Sequence, residues 1–123
     1  MAVIQGTITG VSLLESSVNG LGARKAYIVA VDFPAYTGAS DTINIAAVGA
    51  GIAARTQNGK TNTLRGAVCI GPGIDTANQA VYTGALTVST DALTGELANA
   101  AATELTSSTA CTGVRICAVV DES

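Results

Sequence analysis

Paired carboxylates are the one arrangement in this chain that could support acid–base hydrolysis. Glu96 and Glu104 stand eight residues apart, and Asp121 and Glu122 are adjacent near the C-terminus. Such chemistry needs one carboxyl kept protonated and one ionised, which takes unlike and partly dry surroundings. The first pair lies in a weakly patterned segment and the second at the chain end, so both read as solvated surface. No histidine is present, so a Ser–His–Asp triad cannot be assembled. Cys69 and Cys117 sit in apolar, strand-like runs that hold a thiol neutral and unreactive. The expected set of catalytic residues is therefore none, and the chain reads as a non-enzyme.

Metal and phosphate chemistry fare no better. Cys111 and Cys117 have the wrong spacing for a zinc knuckle, and no histidine could complete one. Asp32, Asp41 and Asp75 are isolated, which does not make a calcium loop. Gly49-Ala50-Gly51 and Gly71-Pro72-Gly73 fit neither a P-loop nor a dinucleotide fingerprint. Gly59-Lys60-Thr61 has the ending of a P-loop, but Ala54 occupies the position of that motif's first glycine, so Asn58-Gly59 reads as a hairpin turn. No metal-ligating residue, cofactor-binding residue or cofactor is expected. The odd number of thiols argues against a disulfide framework. Cys69 and Cys117 are expected to be buried, and Cys111, in a polar stretch, to be the most accessible.

The elements that would position any site follow from a period of two punctuated by Gly, Asn and Asp, the pattern of strands and turns. Strands are predicted over Val3–Leu13, Lys25–Phe33, Asp41–Ala46, Leu64–Ile70 and Gly113–Val120. Gln79–Thr90 reads as one strand, or two broken near Gly84. Asn19-Gly20 and Gly22 mark a loop. Ala47–Gln57 is Ala-rich and reads as a short helix weakened by Gly49 and Gly51. Asp91–Leu105 reads as a loop, or a short helix around Glu96–Thr103, and Thr106–Thr112 as a loop. Tyr27, Val29, Val31 and Phe33 should form one buried face, with Val114, Ile116, Val120 and Val68 as partners. The expected fold is mainly β: one domain over residues 1–123, an antiparallel sandwich or small barrel with at most one or two short helices.

Composition narrows the function further. Charged residues make up 12% of the chain, about half the usual share. The bulk is small: 22 Ala, 14 Gly and 16 Thr among 123 residues. The net charge is −3, and the six basic residues are scattered without interleaved aromatics, so nucleic acid is not an expected partner. No run of about 18 apolar residues exists, so no membrane-spanning helix is expected. Residues 1–7 lack the basic-then-apolar order of a signal peptide, and the protein is expected to be made in a cytoplasm. Little charge with much apolar surface points to contact with other subunits, in a homo-oligomer.

The segment Lys60–Asn99, with its TLRGAVCIGPG strand followed by TGALTVSTDALTGELAN, resembles small virion structural proteins of tailed bacteriophages, in particular head decoration (cement) proteins. The resemblance covers about a third of the chain and lies in wording and composition. It implies a β-rich protein on the capsid exterior, often a trimer, that binds the major capsid protein and clamps neighbouring subunits against internal DNA pressure. No catalytic residue can be carried over. The Pro- and Gly-rich N-terminal arm that some cement proteins use is not seen. The alternatives are another self-assembling β subunit of a tail, fibre or pilus-like structure, and a ligand-binding β module. The module is weakened by the absence of Trp and by only four aromatic rings.

Overall fold

The computed structural model describes residues 2–16, 24–57 and 59–123. The described elements are β1 (Val3–Gln5), β2 (Thr7–Ser16), β3 (Arg24–Phe33), β4 (Thr42–Ile45), α1 (Val48–Thr56), β5 (Asn62–Gly71), β6 (Gly73–Asp75), β7 (Ala80–Thr83), β8 (Thr87–Ser89), β9 (Ala92–Gly95), β10 (Leu97–Ala98) and β11 (Cys111–Glu122). They form a four-stranded sheet, ordered β1-β4-β9-β8, and a seven-stranded sheet, ordered β10-β7-β6-β11-β3-β2 with β5 also on β11. The two sheets pack together as a β sandwich and close no barrel. Every strand pair is antiparallel except β1 with β4.

β11 organises the large sheet. Its alternation sends Val114, Ile116, Ala118 and Val120 inward, each fully buried, because successive side chains on a strand point to opposite faces. One edge pairs with β3 along most of its length, and the other with β5 and then β6. Tyr27, Val29, Val31 and Phe33 of β3 complete the inner face, all buried. Ile43 and Ile45 of β4 and Leu93 of β9 meet them from the small sheet in one core.

Two glycines shape the path. The stretch predicted as one strand over Val3–Leu13 is two strands in different sheets, divided at Gly6. A Cβ on Gly6 would stand 2.7 Å from Phe33 Cε1 and 2.8 Å from Val31 Cγ1, so only glycine lets the chain cross between sheets this close to the core. Gly71-Pro72-Gly73 kinks the chain without ending its run along β11. A Cβ on Gly73 would come within 2.6 Å of Thr112 O.

Three local expectations change, and one open alternative is decided. Asp91–Leu105 holds β9 and β10 instead of a loop or a short helix, because Leu93 and Leu97 bury completely against strand partners Ile45 and Thr83. Gln79–Thr90 takes the two-strand form, as β7 and β8. Gly59-Lys60-Thr61 joins α1 to β5 and is not a hairpin, with Gly59 at φ 66°. Thr106–Thr112 is not wholly loop: Ser108 bridges to Tyr36 and Cys111 opens β11. The predicted loop at Asn19, Gly20 and Gly22, and Asn58, lie outside the described residues. No helix among the described residues is long and apolar enough to cross a membrane.

Candidate functional site

The ionisable side chains that the sequence singled out are engaged in holding the fold. Asp41 accepts bonds from the Thr37 hydroxyl at 2.7 Å, the Ala2 N–H at 2.9 Å and the Thr37 N–H at 3.1 Å. The Thr37 hydroxyl, with these N–H groups, holds the carboxyl below its ordinary range. Asp75 folds its own turn by accepting from the N–H groups of Gln79 at 2.8 Å and Ala77 at 3.0 Å, and the Gln79 bond leads in lowering its carboxyl. Asp91 caps α1 from the turn between β8 and β9: Gly49 N–H donates to it at 2.7 Å and Ala50 N–H at 3.3 Å. That cap is needed because Ala47, the residue before the helix, has no side-chain acceptor.

Within each carboxylate pair the two members meet different surroundings. Glu96 is exposed, while the Tyr36 hydroxyl, with one proton to donate, lies within hydrogen-bond reach of both Glu104 Oε2 and the Asp41 carbonyl. Burial pushes the Tyr36 phenol well above its ordinary range, and the charges of Glu104, Glu96 and Asp41 add to this. Asp121 lies between Arg24 and Arg65, each at 2.7 Å, and the Arg24 bond leads in drawing its carboxyl down to about 2. Glu122 pairs with Lys25 at 2.5 Å. The Arg65–Asp121 pair is the most open to solvent, and such exposed pairs are worth little to stability singly, whereas the Glu122 side chain is largely buried beside Lys25.

Open clefts accompany this framework, and two of them take in residues that the sequence singled out. One, of about 520 Å³, lies at the start of α1 and is lined by Gly49, Ala50, Lys60, Asn62 and Asp91 among others. It contains Lys60 and Thr61 of the P-loop-like triplet, but the N–H groups of Gly49 and Ala50 that would hold a phosphate are taken by Asp91. The other, of about 640 Å³, is lined by Tyr36, Asp75, Gln79, Ser108 and Thr109 among others. No group of three or more metal-ligating side chains occurs among the described residues.

The thiols reverse the expected order. Cys111 is 1% exposed, because it faces inward opposite Phe33, and burial pushes its thiol up. Cys69 and Cys117 are half-buried. Cys117 points outward because it is one step from the inward Ile116, and partial burial raises its thiol as well.

The feature that the sequence reading missed is the outer face of the large sheet. Between the Arg24–Asp121 pair and Asp32, the outward positions of β3 are Ala26, which its neighbours bury, and the half-buried Ile28 and Ala30. Those of β11 are Val119, Cys117 and Arg115, paired with them in that order. On β5, Val68 lies opposite Cys117, which corrects its expected place in the core: Val68 is 58% exposed, Ile70 50%, and Ile74 on β6 56%. The signal was available in GVRICAVV, where Cys117 and Val119 are apolar as well as the inward residues. A strand apolar on both faces is usually covered on both.

No family model matches this chain, and no curated protein or solved structure matches it either.

Proposed function

We propose that this protein is a non-enzymatic virion structural protein that decorates and stabilises a bacteriophage capsid, bound as a homo-oligomer to the major capsid protein on the capsid exterior. The observation that carries the reading is the sheet face just described: four strands wide, largely apolar and set on a fold whose carboxylates serve as caps and ion pairs. The Lys60–Asn99 resemblance supplies the capsid. A cement protein acts by adding many modest contacts at symmetry-related positions, so avidity replaces strength in any one contact. The trimer implied by the resemblance belongs to this proposal.

The test compares particles with and without the protein. Particles carrying it should melt at higher temperature and retain DNA longer under heat or chelator. Unchanged melting and retention would remove the stabilising role even if the protein is found in the virion. A second reading, a tail, fibre or pilus-like subunit, is favoured by the ten-residue edge strand β2, since an open edge can accept another strand. Purified protein would then grow into filaments or tubes instead of closed oligomers.

A further inference from the structure

The outer face of the large sheet carries a pattern that is complementary to itself. Its strand register places Asp121 beside Arg24, Val119 beside Ala26, Cys117 beside Ile28 and Arg115 beside Ala30. A two-fold axis lying in the plane of this face, along the strands and between β11 and β3, exchanges the members of each row. Asp121 of one copy then meets Arg24 of the other, Val119 meets Ala26, Cys117 meets Ile28, and Arg115 lies over Ala30. The same rotation lays β5 over β2, so Val68 covers Ser12, and the bulkier Ile70 reaches the row where β2 has Gly10. In the rows just named, charge meets opposite charge and a larger side chain meets a smaller one.

Arg115 gives the second argument. It is exposed and takes part in none of the ion pairs among the described residues, at the Asp32 end of an otherwise apolar band. Asp32 lies one pair further along on β3. It accepts the Gly113 N–H at 3.0 Å through Oδ1. Across the two-fold, each Arg115 reaches along the strand direction to the Asp32 of the other copy, making two reciprocal pairs.

The area is sufficient. Four strands about 4.8 Å apart and nine residues of about 3.3 Å each give a face of about 550 Å², or about 1,100 Å² over two copies. That meets the lower bound of about 1,000 Å² for a specific interface. Stacked sheets about 10 Å apart leave room for these side chains.

We infer that two copies of this chain pack through this face about a two-fold axis, with Arg115 and Asp32 exchanged between them. The contact does not depend on the capsid reading, since it would serve a tail or fibre subunit equally. A trimer could contain it only as a pair of trimers.

Light scattering from 1 to 100 µM tests it, with circular dichroism confirming that each variant is folded. The wild type should give an even-numbered oligomer. Arg115→Asp should weaken association at least ten-fold, and Cys117→Arg, in the centre of the face, should abolish it over this range. Val3→Asp, on an exposed strand of the other sheet, should leave the mass unchanged. A monomeric or odd-numbered wild type overturns the inference, as does an unchanged mass for Arg115→Asp, or a Val3→Asp variant that dissociates as fully as Cys117→Arg. An intact dimer alongside unaltered particle stability would count against the capsid role and leave the contact standing.

Discussion

The two faces of the β3–β11 ladder are built from nearly the same residue types and meet opposite conditions. Inward, Val29, Val31, Ile116 and Val120 are sealed between the sheets. Outward, Ile28, Cys117 and Val119 are apolar as well but remain half-exposed. Alternation tells which residues share a face. It does not tell what covers that face, because the cover comes from elements distant in sequence or from another chain. The inner face is covered by β4 and β9. The outer face is shielded only in part within the described chain, where Ala26 is buried and Ile28, Cys117 and Val119 are half-buried, and the proposed second copy covers the rest.

The sharpest way to break this comparison is to truncate one residue on each face. Phe33→Ala empties a buried site and should cost about 3–5 kcal/mol, and Ile116→Ala about 2–5 kcal/mol. Val68→Ala, measured by urea unfolding at submicromolar concentration where copies are apart, should stay within about 0.5 kcal/mol. Equal losses at Ile116 and Val68 would mean that the outer face is covered within the single chain.

A smaller effect separates the ends of the outer face. Asp121 is held at about 2 by Arg24 and Arg65, below the ordinary carboxylate value of 3.8. Its native form therefore adds stability above pH 4, and that contribution is lost as pH falls through about 2. Urea midpoints measured across this window should decline less for Asp121→Asn than for the wild type. Parallel acid limbs would show that the two arginines do little for this carboxylate in solution.

The smallest effect is kinetic. With a maleimide reagent on dilute native protein, Cys69 and Cys117 should be modified before Cys111, which burial shields. Cys117 should slow as concentration rises while Cys69 keeps its rate, since only Cys117 lies in the centre of the proposed contact. Early modification of Cys111 would contradict its inward position opposite Phe33.

Much of the fold was legible in the residues. The inner faces of β3 and β11 followed from strict alternation over eight or more residues, and α1 spans nearly the predicted Ala47–Gln57 stretch. Segments with short or mixed patterns were not legible. β9 and β10 span four and two residues, too few for a period to declare itself. Their state was set by Leu93 and Leu97 finding places in the core.

By itself, then, the sequence determined a β-rich chain with one continuous inner face and little ionisable chemistry, because local alternation and composition are properties of neighbouring residues. Tertiary structure decided the rest. It turned Cys111 inward and Val68 outward through the bulges and registers of β11 with β3 and β5. It sent the chain from one sheet to the other at Gly6, where the packing of Val31 and Phe33 leaves no space for a side chain. And it aligned Asp121 with Arg24 and set Arg115 one step from Asp32, residues more than 80 positions apart, on one face. Only long-range strand pairing can bring such groups together.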